Sequence, residues 1–123
     1  MKFKIERIFL WAVLVLTFGA VYGAEVKPAV KPLPKLLELG AESCIPCKMM
    51  QKVLAELRRD YPKTLKVDFI DVWKNPQTGK QYKILVIPTQ IFFNAKGKEI
   101  FRHSGYYSED EIVKKFRELG VKL

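Results

Sequence analysis

Two cysteines occur in this chain of 123 residues, Cys44 and Cys47, in the stretch Ser43-Cys44-Ile45-Pro46-Cys47-Lys48. A pair at that spacing can do three things: staple the chain, hold a metal ion, or cycle between dithiol and disulfide. As a staple it is weak, because closing a four-residue loop restricts the unfolded chain by only about 2 kcal/mol. As a structural zinc site it lacks ligands: beyond the cysteines, His103 is the only other nitrogen or sulfur donor of the usual kind. The redox use needs one reactive sulfur with a favoured thiolate and a second sulfur within reach. A helix start meets the first need, since its unpaired amides and positive dipole end favour negative charge.

The residues that follow the pair predict such a helix. Met49, Met50, Val53, Leu54 and Leu57 recur at three- and four-residue spacing. Ser43 is the expected cap. Pro46 falls in the first turn, where the amide it lacks has no intrahelical partner. Before the helix, 35–39 (KLLEL) reads as a short strand closed by Gly40. After it, 65–72 (LKVDFIDV) reads as a second strand, and Asn75-Pro76 opens a short helix running to about Tyr82. TQIFFN and EIFRHS flank AKGK as a β-hairpin, with Gly97 supplying the unusual backbone angle. Ser108 and Glu111 form a capping box for a last helix ending near Gly120. The predicted order is strand, helix, strand, helix, strand, strand, helix.

Residues 1–23 begin with Lys2, Lys4 and Arg7 and continue into an apolar run ending in small residues, the layout of a secretory signal peptide with a cut after Gly23. An uncleaved membrane anchor is the alternative, although the run of about 14 residues is shorter than the roughly 20 that span a bilayer. Residues 24–34 carry three prolines and read as an extended linker, leaving 35–123 as one domain. Without the leader, 19 Lys plus Arg stand against 12 Asp plus Glu, a net charge of +7. These charges are scattered rather than clustered, which argues against a nucleic-acid partner.

The Cys44-x-x-Cys47 motif after a strand, Ile87-Pro88-Thr89 before a hairpin, and Gly105 after the last strand together resemble the thioredoxin family of the secreted bacterial type, over about residues 35–121. The resemblance implies an α/β fold with a central mixed sheet flanked by helices, here lacking the N-terminal strand and helix of full-length thioredoxin. It implies Cys44 as nucleophile, Cys47 as resolving sulfur and Glu38 at the place of the family's buried acid. The acid's partner lysine falls at Val67. Ile45, Pro46, Ile87, Pro88, Thr89 and Gly105 become the substrate-binding residues, with Pro88 as the family's cis-proline. His103 reads as a hairpin surface residue, Trp73 as core or rim packing, and Phe92, Phe93 and Phe101 as packing residues.

Ordinary thiols with pKa near 8.5 are about 3% thiolate at pH 7, whereas a family-like value about 7 gives roughly half. Strongly oxidising relatives usually place a histidine between the cysteines; Ile45-Pro46 stands here instead. The resemblance therefore implies a monomeric reductase of protein disulfides in the periplasm or outside the cell, fed by a membrane thiol transporter and using no cofactor beyond its own disulfide. A thioredoxin-fold binding or chaperone-like module with an idle disulfide, and an envelope oxidant or isomerase, are the alternatives.

Overall fold

The computed structural model describes residues 30–123. The signal peptide expected at 1–23, and the expected linker up to residue 29, lie outside the described residues. Lys31–Leu123 form a single compact unit, and among the described residues no helix is long and apolar enough to cross a membrane.

Strand β1 (Lys35–Gly40) leads to helix α1 (Ile45–Asp60), strand β2 (Lys66–Asp71), helix α2 (Pro76–Gln81), strands β3 (Thr89–Phe93) and β4 (Glu99–Ser104), and helix α3 (Glu109–Glu118). The sheet order is β2-β1-β3-β4. β1 runs parallel to β2 and antiparallel to β3, and β3 is antiparallel to β4. This is the predicted order of elements and a mixed sheet flanked by helices. The two hydrophobic strands β1 and β3 take the centre, and the charged strands β2 and β4 take the edges, where side chains such as Lys66 and Asp68 blunt further pairing.

Alternation along the strands sends side chains to two cores. Leu36 and Phe92 face a layer built with Met50, Val53, Leu54 and Leu57 of α1 and Ile112, Val113 and Phe116 of α3. Leu37, Leu39 and Ile91 face the other side, against Val72, Tyr82 and Ile84. Phe92 is wholly buried and packs edge-on to Phe101 at 5.3 Å. Phe93 and Phe101 pack at the core margins.

Local signals behave as chemistry dictates, with three differences. Ser108 and Glu111 form the reciprocal capping box, and Gly97 and Gly120 take positive φ of 80° and 78°. The cap of α1, however, is Cys44 rather than Ser43, because the helical hydrogen bonds begin at Ile45 and the residue with extended backbone just before it is Cys44. Met49 is half exposed although Met50 is buried; successive helical residues are about 100° apart, and the buried stripe is centred on Met50, Val53, Leu54 and Leu57. Asn75 precedes α2 without capping it, its Nδ2 donating instead to the Asp71 carbonyl.

Candidate active site

The register of the sheet gathers the motif residues at one end. Leu39 pairs with Thr89, and Thr89 pairs with Ser104, so the turn from Gly40 to Cys44, the segment ending at Pro88, and Gly105 all leave the sheet at the same edge of the layer. β1 and β2 present their carboxyl ends there, the usual place for chemistry in an α/β sheet.

Cys44 and Cys47 are joined as a disulfide, with Cα atoms 5.1 Å apart. The two sulfurs are not equivalent. Cys44 is half-buried at the helix cap, and its Sγ accepts the amide hydrogen of Cys47 at 3.4 Å. Cys47 is fully buried. Room for it exists because residue 40 is glycine: a Cβ there would lie 3.2 Å from the Cys47 Sγ and 3.4 Å from the Phe69 ring. Ile45 and Pro46 form the exposed rim between the cysteines, and Lys48 is exposed one turn on.

The Ile87–Pro88 peptide is cis. Thr89 is buried, and its hydroxyl donates to the Val86 carbonyl at 2.8 Å and lies 3.1 Å from the Ser104 hydroxyl. Its side chain therefore holds the loop in shape rather than reaching outward. Gly105 has φ of 99°, a conformation open to glycine, and in it the amide donates to the Pro88 carbonyl at 2.8 Å. A Cβ at Gly105 would meet nothing within 4 Å, so backbone angle is what glycine supplies within this chain.

Glu38 lies mid-strand in β1, a central strand, and is completely buried. Neither carboxyl oxygen has a hydrogen-bond partner. Burial pushes its pKa up from 4.5 to about 8, with the neighbouring Gln90 amide pulling weakly the other way. It shares a face of β1 with Gly40, two residues on, and so with the layer that holds the Cys47 sulfur. Val67 pairs with Leu36, and the residue opposite Glu38 on β2 is Phe69; both are apolar, so no cation answers the acid from that strand.

Four further residues matter, of which the sequence did not mark Asp71 and Gln90. Asp71 takes the amide hydrogens of Glu42, Trp73 and Lys74 at 3.0, 2.9 and 3.0 Å. These bonds, led by that of Glu42, hold its carboxyl below the usual range. It thereby ties the turn before Cys44 to the turn after β2. Trp73, expected as core or rim packing, is 61% exposed and so lies outside the core. With Pro76, Leu85, Val86 and Ile87 it lines a groove of about 260 Å³ that reaches the cis-proline segment. Gln90 is buried beside Glu38. Its one sequence signal was parity: it alternates with Phe92 on the inward face of β3. His103, expected on the surface, is half-buried and stacks on Tyr107 at 3.9 Å. Among the described residues no cluster of three or more His, Cys, Asp or Glu is placed to hold a metal ion.

The family model described as Thioredoxin matches residues 16–118. A thioredoxin of Staphylococcus aureus is 31% identical over 93 residues, covering 76% of this chain and 88% of that protein. A thioredoxin of Chlamydia trachomatis is 35% identical over 79 residues, 64% of this chain and 76% of the relative. Among solved structures, chloroplastic thioredoxin z superposes with a TM-score of 0.67 at 22% identity, over 73% of this chain and 80% of that one. A malarial thioredoxin-2, titled a component of the parasite's protein secretion machinery, gives 0.66 at 19%, over 70% and 82%. With a family match across most of its length and a disulfide in the Cys-x-x-Cys position, this chain belongs to the thioredoxin family and is a thiol–disulfide oxidoreductase.

Proposed function

We propose that the protein works as a reductant of protein disulfides in the cell envelope, with Cys44 as nucleophile and Cys47 as resolving sulfur. The observation that carries this reading is the asymmetry of the pair: the Cys44 sulfur sits at a helix cap and receives an amide hydrogen, while Cys47 is sealed behind it. In the dithiol state the same amide and the helix dipole favour thiolate at Cys44. That thiolate attacks one sulfur of a substrate disulfide; the substrate S–S bond breaks and its other sulfur leaves as a thiolate. Cys47 then loses its proton and attacks Cys44. The mixed disulfide breaks, Cys44 and Cys47 join, and the substrate has gained two electrons.

Glu38 is the proton partner of Cys47. As carboxylate it takes the Cys47 proton when the internal disulfide closes, and as neutral acid it returns one when a donor opens that disulfide. A pKa of about 8 makes both forms accessible near neutral pH. The exposed rim of Ile45 with the groove at Trp73, Leu85 and Val86 suits an extended apolar stretch of a protein substrate, lying along the Ile87–Pro88 backbone. Ile45-Pro46 in place of a histidine favours the reducing direction. The leader at 1–23 supports an envelope location, where a membrane thiol transporter would supply electrons.

The test is mixed-disulfide trapping combined with a redox titration. Cys47→Ala should accumulate mixed disulfides through Cys44, whereas Cys44→Ala should accumulate few; equal or reversed trapping refutes the assignment. A potential below about −200 mV supports the reductant, and one near about −120 mV, that of strong envelope oxidants, overturns it. Glu38→Gln should slow opening of the disulfide, most above neutral pH, and a wild-type rate across pH 6–9 would remove Glu38 from the mechanism.

A further inference from the structure

β1 and β3 lie in register at Glu38 and Gln90, so the two side chains enter the same layer side by side. Both are fully buried. The two Glu38 oxygens and Gln90 Oε1 have no hydrogen-bond partner. Gln90 Nε2 donates to the Gly105 carbonyl at 3.1 Å, and the Gly105 amide donates to the Pro88 carbonyl at 2.8 Å. A primary amide nitrogen carries two hydrogens. One is committed to Gly105, which leaves the other as a donor to a carboxylate at position 38.

We propose that Gln90 is a positioning residue for the proton-exchange step: its amide steadies the Glu38 carboxylate when the proton leaves and ties that event to Gly105 and Pro88. The inference rests on the reading of Glu38 as proton partner of Cys47. An amide is far cheaper to bury than an ammonium but stabilises a carboxylate less, so the acid remains partly protonated at neutral pH instead of being held as an ion. When Glu38 is neutral, the amide serves Gly105 alone. When Glu38 ionises, the amide bridges the carboxylate and the carbonyl, and the backbone beside the cis-proline feels the change.

The other groups around this layer are Phe69 of β2, Cys47 and Met50 of α1, and His103 of β4, which pairs with Gln90. His103 stacks on Tyr107, and the charged groups nearest that pair are Glu111 and Lys115 of α3. His103 is a second ionisable side chain in this neighbourhood, so the measurement must be residue-specific.

In the full-length oxidised protein the cysteines do not titrate, and the carboxyl carbon of Glu38 and the side-chain amide of Gln90 can each be followed by NMR from pH 5 to 10. The Gln90 amide signals should move with the midpoint of Glu38, and Glu38→Gln should abolish that movement. Gln90→Met, which keeps shape but has no amide, should raise the Glu38 midpoint by about one pH unit. A Gln90 amide that stays flat while Glu38 titrates, or a midpoint unmoved or lowered in Gln90→Met, overturns the proposal. In turnover, Gln90→Met should slow closing of the internal disulfide near neutral pH, where less Glu38 is carboxylate, and add nothing in a Glu38→Gln background. A wild-type rate in Glu38→Gln alongside a raised midpoint in Gln90→Met would instead overturn the proton-exchange step and leave the Gln90 contact standing.

Discussion

Glu38 and Asp71 are buried carboxyls on adjacent parallel strands, yet the fold treats them in opposite ways. Asp71 ends β2 and collects three backbone amide hydrogens; Glu38 sits inside β1 and collects none. The first is held below its usual range and the second is pushed to about 8. The cause is position along the strand. Within a sheet the backbone amides are spent on the ladder, whereas a turn that follows a strand leaves amides free to meet a carboxylate. Asp71 is thus an ion that shapes two loops of the active site. Glu38 is an acid that the surroundings refuse to ionise, which suits it to hold and release a proton.

The sharpest way to break this contrast is to remove the ionisable group from Glu38 and measure stability against pH. Its pKa is higher folded than unfolded, so the folded state binds the extra proton between about pH 4.5 and 8, and stability falls as pH rises through that window. The full cost at pH 9 is roughly 5 kcal/mol as an upper bound. Glu38→Gln should therefore be more stable than wild type by a few kcal/mol at pH 9, with the curves converging below pH 4.5, as read by urea unfolding. Parallel curves for the two proteins would mean that Glu38 is solvated.

Gly40 pairs with Asp71 and borders Cys47, so it stands between the two regimes. Gly40→Ala should cost about 1–3 kcal/mol, because its Cβ would press on a buried sulfur and an aromatic ring. A loss under about 0.5 kcal/mol would show that Cys47 can shift freely.

Asp71→Asn should act with the opposite pH sign to Glu38. A carboxylate with a depressed pKa contributes stability above the unfolded value, near 3.9, and loses it as pH falls through the folded value. The variant should melt a few degrees lower than wild type at neutral pH and match it in acid. A deficit that persists at pH 2 would trace the effect to shape rather than charge.

The smallest change in stability is expected at Trp73, which the fold leaves exposed. Trp73→Ala should alter unfolding free energy by no more than about 0.5 kcal/mol. It should raise KM for a protein disulfide while leaving the reaction with a small dithiol unchanged. Equal loss with both substrates would place Trp73 in the support of the disulfide rather than in the groove.

What the sequence determined by itself was whatever is encoded within a few residues. The order of elements follows from periodicity and punctuation: the 3.6-residue stripe of α1, the Ser108–Glu111 box, the glycine of the hairpin. The redox motif at a helix start was equally local, because a cysteine at a cap and another one turn on need only the chain between them. Even so, local rules missed the cap by one residue, since the Cys44 sulfur took the place expected of the Ser43 hydroxyl.

The tertiary structure decided everything that depends on which strands are neighbours. Glu38 was placed at the family's acid position by its distance from Cys44, but whether it met solvent or burial turned on β1 lying between β2 and β3. Gln90 had only its parity as a signal, because its meaning comes from a partner 52 positions earlier, reached through the β1–β3 register. Asp71 and Glu42, and Gly40 and Cys47, meet only because the turn ends are stacked at one edge of the sheet. A sequence fixes the reactive group and the element that carries it; the proton affinity of a buried acid is set by the donors that folding brings to it, and those come from distant segments.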